Sequence, residues 1–92
     1  MFVIPAFRPS PDLFSVVAEL RNEAPDIEVV VVDDGGGESY FDLFRELEEQ
    51  LGVTVLRHAV NLGKGAALKT AMNWALVKFP SLLGIVAADA DG

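Results

Sequence analysis

The chain has 92 residues, of which 51% are hydrophobic and 23% charged, so it is not intrinsically disordered and has room for one domain. The absence of cysteine excludes a disulfide scaffold, a thiolate nucleophile and a cysteine-ligated zinc site. The net charge of −7 argues against non-specific binding to nucleic acid, and no apolar run reaches the ~18 residues that a membrane span needs. The first residues lack the basic stretch of a secretory signal, so we expect a cytoplasmic location.

The charge is distributed unevenly along the chain. Residues 1–50 contain 12 acidic and 3 basic residues, whereas residues 51–92 contain 2 acidic and 4 basic residues. A local excess of lysine and arginine in an acidic protein can attract an anionic ligand. Chance composition is the simpler explanation in so short a chain.

Strands and helices alternate in the predicted order. The β-branched run at residues 27–32 is typical of a strand that is buried on both faces of a sheet. Apolar residues recur at the 3.6-residue period after Ser10 and Pro11, which indicates an amphipathic helix with Ser10 as its N-cap. The alternation predicts right-handed crossovers and an α/β fold with a mostly parallel sheet. The predicted strands cover residues 2–5, 27–32, 53–56 and 83–88, and the predicted helices cover residues 11–23, 39–51 and 64–79.

Glycine and proline mark the ends of the later helices. Gly52 is expected to stop the second helix, and Pro80 to close the third. No helix follows the last predicted strand, so the outer side of that strand would lack its usual cover, and residues 1–92 are predicted to be a single truncated domain. The third helix carries apolar residues at helical spacing that we expect to form its packing face, namely Leu68, Met72, Ala75, Leu76 and Phe79.

A cluster of unusual residues follows each predicted strand. In a parallel sheet the loops that follow the strands share one edge, and ligands of such sheets bind outside the carboxyl ends of the strands. This co-location predicts a binding site at that edge. The clusters are residues 5–8, 33–35, 58–64 and 89–92.

Two acidic pairs have both a functional and a structural interpretation. Asp33 and Asp34 follow an apolar run and can accept hydrogen bonds from hydroxyl or ring N–H groups, and the three glycines after them allow a ligand to approach the backbone. An ordinary turn explains the same residues equally well. Asp89 and Asp91 have a spacing that suits a divalent cation bound together with substrate phosphates, although a solvated acidic segment explains them as well.

Residues 61–65, Asn-Leu-Gly-Lys-Gly, open the third predicted helix. Small residues there let backbone N–H groups approach an anion with support from the helix dipole, and Lys64 adds a positive charge. The segment matches neither a P-loop nor a dinucleotide fingerprint, so a tight turn with close helix packing is the alternative. The single histidine, His58, is interpreted as a loop or core-edge residue. Phe7 either stacks on a base or covers the end of the sheet.

Four segments, in this order and spacing, resemble the N-terminal half of family 2 glycosyltransferases over all 92 residues. Within that family the segments are most similar to the polyprenol-phosphate and dolichol-phosphate sugar transferases. The resemblance implies the GT-A fold, a Rossmann-like α/β sheet that binds nucleotide sugars. The segments are Val-Ile-Pro-Ala-Phe at residues 3–7, Val-Val-Asp-Asp-Gly at residues 31–35, Asn-Leu-Gly-Lys-Gly-Ala-Ala at residues 61–67 and Ala-Asp-Ala-Asp-Gly at residues 88–92.

The resemblance implies where the nucleoside of a nucleoside-diphosphate sugar would bind. Pro5, Ala6 and Phe7 would line the nucleoside pocket. Asp33, with Asp34 beside it, would hold the base and the ribose.

The resemblance also implies how the diphosphate would be held. The backbone of Gly63 and the side chain of Lys64 would lie near the base or the diphosphate. Asp89 would contact the nucleoside side, and Asp91 would bind the Mg²⁺ or Mn²⁺ ion that bridges the diphosphate. Such a cation neutralises the charge of the leaving nucleoside diphosphate. No residue is assigned as the catalytic base, because in full-length relatives that residue lies beyond Gly92.

The sequence departs from the family pattern at three places. Phe7 and Arg8 stand where the family usually has Tyr-Asn, so an aromatic hydroxyl is missing and a guanidinium is added. Gly36 stands where a serine or asparagine is usual, and Ala71 where a glycine is frequent. None of these departures removes a carboxylate.

The first functional hypothesis is the donor-binding half of a glycosyltransferase, inactive as the isolated 92 residues, whose full-length relatives transfer a sugar to an acceptor such as a polyprenol phosphate at the cytoplasmic face of a membrane. The alternative is a non-catalytic, oligomeric scaffold domain with the same fold. Both hypotheses predict a homo-oligomer. A nucleotidyltransferase is disfavoured because Ile-Pro-Ala-Phe at residues 4–7 lacks the glycines and arginine of the phosphate loop in those enzymes.

Overall fold

A computed structural model describes residues 1–81, 84, 86 and 87. Strands and helices alternate as predicted, and the chain is an α/β domain. A short 3₁₀ turn at Glu38–Tyr40 precedes the second helix. The elements are β1 (Phe2–Ala6), α1 (Asp12–Glu23), β2 (Val29–Asp34), α2 (Phe41–Leu51), β3 (Thr54–His58), α3 (Lys64–Lys78) and β4 (Val86–Ala87).

The four described strands form one parallel sheet in the order β3-β2-β1-β4. At its carboxyl edge Ala6 of β1 is in register with Asp33 of β2, which is in register with Arg57 of β3. The next residue of β2, Asp34, is in register with His58. The predicted parallel sheet is therefore confirmed, and it brings the ends of three strands side by side.

The two faces of the sheet are covered unequally. Side chains of a strand alternate between the faces, so β1 and β2 each supply residues to two separate clusters. Two helices, α1 and α2, cover one face with large side chains, and among the described elements α3 is the one helix on the other face. The first cluster contains Ile4, Ala6, Leu13, Val17, Val29, Val31, Phe44, Leu47 and Val53. The second contains Val3, Val30, Val32, Ala67 and Ala71.

The predicted packing face of α3 is wrong in part. Ala67, Ala71 and Ala75 are fully buried, whereas Met72 and Leu76 are 47% and 50% exposed. The predicted residue Phe79 is also exposed and lies just after the helix. Three alanines spaced four residues apart form a stripe of small side chains, which permits close contact with the sheet and turns the larger residues outward.

Most predicted element ends differ from the structure by one or two residues. The strand β2 runs to Asp34, two residues beyond its predicted end, because both aspartates take part in the pairing with β3. The first helix begins at Asp12 with Pro11 at its N-cap position, so the predicted N-cap Ser10 is wrong, although the Ser10 Oγ accepts a hydrogen bond from the Asp12 N–H (3.3 Å). Gly52 ends α2 with a left-handed φ of 67°, as predicted.

The fourth strand pairs with the first two residues after Met1. Val86 is in register with Phe2 and Ala87 with Val3. Residues 82, 83, 85 and 88–92 lie outside the described residues, so the rest of the predicted strand over residues 83–88 and its missing cover stay predictions. Within the described part of the chain, no helix is long and apolar enough to cross a membrane.

Candidate functional site

The residues that follow β1 form one side of the candidate site. Pro5 and Ala6 are the last two residues of the strand, and Phe7, directly after it, is 46% exposed. Arg8 has a left-handed φ of 47°, and its guanidinium lies 5.1 Å from the centre of the Phe7 ring. A Cβ atom on Gly36 would lie 3.3 Å from the Arg8 nitrogen, so the glycine permits this close approach. An exposed aromatic ring and a guanidinium thus stand together beyond β1.

Asp34 is surrounded by hydrogen-bond donors of the chain itself. Its Oδ1 accepts hydrogen bonds from the Leu62 N–H (2.9 Å) and from Nδ1 of His58 (2.8 Å). Its Oδ2 accepts from the Gly63 N–H (3.0 Å) and from the Asn61 side-chain amide (3.0 Å). The side-chain amide of Asn61 also donates to the Asp34 carbonyl (3.3 Å). Both carboxylate oxygens are therefore engaged within the protein.

These contacts set the charge state of Asp34. Burial is the largest single influence on this carboxyl and would raise its pKa. The hydrogen bonds donated by the Leu62 N–H, the His58 ring and the Gly63 N–H act in the opposite direction and together hold the pKa of Asp34 below its usual value. Asp34 is consequently a buried anion at neutral pH.

His58 connects Asp34 to α3 through hydrogen bonds at both of its ring nitrogens. An ionised carboxylate only accepts hydrogen bonds, so Nδ1 of His58 carries the proton that it donates to Asp34. Nε2 of the ring lies 2.8 Å from the hydroxyl of Thr70, which donates to it when the imidazole is neutral. His58 is buried at the end of β3, which confirms its interpretation as a core-edge residue. It joins Asp34 of the sheet to a helix.

Residues 59–63, which we call the anchored loop, take their shape from this network. Gly35 contributes a second contact, because a Cβ atom there would lie 2.1 Å from the carbonyl carbon of Val60. Gly35 also has a left-handed φ of 73°. Any other residue at Gly35 would displace the loop backbone. The Gly63 N–H points at Asp34, and Lys64 is exposed at the start of α3, so their nearness to a diphosphate stays a prediction.

Asp33 has a different set of partners on the opposite face of the sheet. Its Oδ2 accepts a hydrogen bond from Nε of Arg57 (2.9 Å), and its Oδ1 accepts a longer one from the Gly36 N–H (3.4 Å). The Arg57 guanidinium lies 4.0 Å from the centre of the Phe41 ring, at the start of α2. Asp33 is buried, but the Arg57 side chain is 42% exposed. This carboxylate therefore orients a cation that reaches solvent.

Sequence reasoning did not identify Arg57, Phe41 or Thr70. The signal for Arg57 was available in the alternation of side chains along β3, since a residue next to His58 must lie on the other face of the sheet. No local signal marks Thr70 or Phe41, which reach the site through the packing of α3 and α2. These three residues add a cation, an aromatic support and a hydroxyl to the predicted set.

The described carboxylates of this edge do not provide a metal site. Asp33 and Asp34 have oxygens already bonded to protein donors, and no three metal-ligating side chains cluster within the described part of the chain. The predicted metal ligand Asp91 and the predicted nucleoside contact Asp89 lie outside the described residues. The metal and nucleoside roles of those two residues therefore stay predictions.

The described residues of the edge are suited to binding an anion with an attached ring system. They present two guanidinium groups and an exposed aromatic ring, but the imidazole and both carboxylates are enclosed by internal partners. One cavity of about 630 Å³ lies elsewhere, at the amino-terminal end of the sheet, where Met1, Ile27 and Phe79 line it. The carboxyl edge of the sheet is the better candidate on position and chemistry.

Comparisons with known proteins agree with this geometry. The family model described as Glycosyl transferase family 2 matches residues 1–92. The chain is 37% identical over 90 residues to a protein of Methanocaldococcus jannaschii named "Uncharacterized protein MJ1222". The match covers 98% of this chain and 34% of that relative. The chain therefore spans about a third of the length of the curated relative that it matches.

Proposed function

This chain belongs to glycosyl transferase family 2, and from that membership we propose that it is the donor-binding half of a glycosyltransferase. The donor is a nucleoside-diphosphate sugar, bound at the carboxyl ends of β1, β2 and β3. The observation that carries the proposal is the pair of adjacent aspartates at that edge. Asp34 holds the anchored loop against the sheet, while Asp33 orients an arginine toward solvent.

We propose that the nucleoside lies beside the end of β1. The exposed ring of Phe7 offers a surface on which a base can stack, and Pro5 and Ala6 directly precede it at the end of the strand. Asp33 is in register with Ala6, the last residue of β1. We propose that Asp33 contacts the base and ribose, and that Asp34 acts through the loop it positions.

The proposal also includes a divalent cation. Mg²⁺ or Mn²⁺ would be held by Asp91, with Asp89 beside it toward the nucleoside. When bound, the cation neutralises negative charge on the leaving nucleoside diphosphate. The chain's own residues contribute the stacking surface, the anchored loop and the guanidinium groups.

The acceptor and the chemical step belong to the whole protein. A polyprenol phosphate is the acceptor that the resemblance favours. Among the described residues of the edge, His58, Asp33 and Asp34 are each held by internal hydrogen bonds, so none is assigned as a general base. We therefore propose that the isolated 92 residues bind the donor without transferring the sugar.

Calorimetric titration of the 92-residue chain with UDP and with GDP tests the proposal. With Mn²⁺ present we expect weak, saturable binding of one of the two nucleotides, weakened but not abolished by addition of EDTA. Asp91→Ala should abolish the metal-dependent part, whereas Asp26→Ala, an exposed residue at the opposite end of the sheet, should leave it intact. A folded chain that binds neither nucleotide would refute the proposal.

A homo-oligomeric scaffold is the second candidate, and the outward face of α3 favours it. Met72, Leu76 and Val77 are 47%, 50% and 76% exposed, which is unusual for three neighbouring apolar residues. Light scattering on the eluting protein tests this candidate. A ligand-independent oligomer that Leu76→Lys converts to monomer would support it, and a monomer at micromolar concentration would exclude it.

A further inference from the structure

We propose that Arg8 and Arg57 form the anion-binding part of the donor site and grip the diphosphate of the nucleotide sugar. Neither arginine was assigned by the sequence motifs or by the family resemblance. The inference rests on the proposed function, because it names the chain's own groups that hold the charged portion of that donor.

The sheet places the two arginines on either side of Asp33. Ala6, Asp33 and Arg57 are in register across three strands, so Ala6 and Arg57 are separated by two strand spacings, about 10 Å. Arg8 lies two residues beyond Ala6, above the same edge. Their side chains also share the β2–α2 connection, since Arg8 contacts Gly36 and Arg57 lies over Phe41. Arg57 extends toward Asp33, and so toward the Arg8 side of the edge, which lets one diphosphate contact both guanidinium groups.

Arg57 is held in a fixed orientation with part of its guanidinium still accessible. Its Nε is committed to Asp33, and its flat face rests on Phe41. The terminal NH₂ groups project from a side chain that is 42% exposed. A planar guanidinium held on two sides loses little further freedom when it donates to phosphate oxygens, and its fork geometry suits that ligand.

Arg8 is held by different means. Its left-handed φ of 47° is unfavourable for a residue with a side chain, and such conformations persist where the surrounding structure enforces them. The absence of a side chain at Gly36 makes room for the Arg8 backbone, and the Phe7 ring lies under the guanidinium. This backbone conformation directs a cation to the place where the family usually has an uncharged asparagine.

The charge of the surrounding chain gives these two cations their importance. Residues 1–50 carry 12 acidic and only 3 basic residues, and Arg8 is one of the three. A ligand with two phosphates would be repelled by this half of the protein at distances within the ~8 Å screening length of physiological salt. Two guanidinium groups at the entrance reverse the local potential and make the binding of the anion favourable.

The test uses three ligands in the presence of EDTA, so that no cation contributes: UDP, inorganic pyrophosphate and uridine. We expect Arg8→Gln and Arg57→Gln each to weaken UDP and pyrophosphate binding about tenfold, as for loss of a charge-assisted hydrogen bond. Uridine binding should change less than twofold. The control is Arg45→Gln, whose side chain is exposed on α2 and pairs with Asp42, and it should bind all three as the unaltered chain does.

The Arg57→Lys variant controls for the possibility that Arg57→Gln weakens binding only because it unfolds the chain. It keeps the charge and a partner for Asp33 but removes the fork, so a folded Arg57→Lys chain should still bind pyrophosphate more weakly. Folded Arg8 and Arg57 variants with unchanged affinity for UDP would overturn this inference and leave the proposed function standing. Binding of pyrophosphate but of no nucleotide by the unaltered chain would refute the proposed function and, with it, the assignment of the two arginines to a nucleotide sugar. Binding of neither would overturn both.

Discussion

Asp33 and Asp34 are chemically identical neighbours that the sheet assigns to different tasks. Asp34 faces α3 and accepts hydrogen bonds from four donors of the chain, among them His58 and two backbone N–H groups of the anchored loop. Asp33 faces α2 and forms a salt bridge with Arg57, whose side chain is partly exposed to solvent. Because neighbouring residues of a strand face opposite sides of the sheet, Asp34 is an internal anchor, whereas Asp33 lies beside the proposed ligand.

The comparison shows how an acidic pair after an apolar strand is best interpreted. Each oxygen of Asp34 already accepts two hydrogen bonds from the protein, so this carboxylate cannot also serve a ligand without releasing part of the loop that it holds. Asp34 therefore influences binding through the shape of the anchored loop, while Asp33 influences it through the orientation of Arg57. The substitutions that follow alter the contacts of Asp33, of Asp34 or of the anchored loop.

Replacement of Asp34 should have the largest effect on stability. Asp34→Asn places a donor NH₂ against N–H groups and leaves His58 without its anion, and breaking a buried pair in this way costs about 3–5 kcal/mol. Asp33→Asn should cost about 1 kcal/mol, because Arg57 is partly solvated and loses only a screened partner. Urea unfolding followed by circular dichroism measures both. Equal losses for the two variants would contradict the assignment of separate tasks.

Gly35 gives the next largest effect, through the contact between β2 and the anchored loop. Gly35→Ala places a Cβ atom 2.1 Å from the Val60 carbonyl carbon in a left-handed conformation, so we expect a loss of about 2–4 kcal/mol. Gly52→Ala is the matched control. Gly52 has a similar left-handed φ of 67°, and a Cβ atom there would meet only the end of the Arg21 side chain at 3.8 Å, so it should lose only about 1 kcal/mol from backbone strain. If the two alanine variants unfold at the same urea concentration, the loop contact contributes nothing.

Thr70 tests the helical end of the Asp34 network. Thr70→Val removes the hydroxyl that faces Nε2 of His58 and should cost about 1 kcal/mol. The Nδ1–Asp34 bond remains, so the anchored loop should keep its shape. Nuclear magnetic resonance of the His58 ring protons should then show a changed Nε2 environment with little change in the Leu62 amide shift. A large shift of that amide would mean that the loop depends on α3 rather than on Asp34.

The smallest expected effect is the dependence of the unfolding free energy on acidic pH, which tests the charge state of Asp34. Folding lowers the pKa of Asp34, so its stabilisation is complete above the unfolded value of about 3.9 and is lost as the pH falls through the lower folded pKa. The difference in unfolding free energy between the unaltered chain and Asp34→Asn should therefore stay constant from pH 7 to about pH 5 and narrow as the pH falls below about 4. A difference that stays constant down to pH 3 would show that folding does not lower the pKa of Asp34.

Much of the fold followed from local patterns in the sequence. The β-branched run at residues 27–32 indicated a buried strand, Gly52 marked a helix end, and the alternation of elements implied a parallel sheet. The edge that gathers the polar clusters followed from that topology alone. These features depend on residues close together along the chain, which is why they were predictable.

The partners of the site residues did not follow, because they are long-range contacts. Asp34 meets His58 and Gly63, which are 24 and 29 residues away, and nothing in the sequence around Asp34 distinguishes it from Asp33. The packing face of α3 was partly wrong for a related reason. Periodicity identifies apolar residues such as Met72 but does not decide whether they or the alanines between them face the sheet.

The alanine stripe of α3 has an evolutionary consequence. Ala67, Ala71 and Ala75 set the distance between this helix and the sheet, and Thr70, next to Ala71, bonds to His58. A mutation that enlarged one of these methyl groups would lift the helix and stretch the link to the anchored loop. Descendants of this sequence can therefore alter the shape of their ligand edge through inherited changes in the core, with every side chain at that edge conserved.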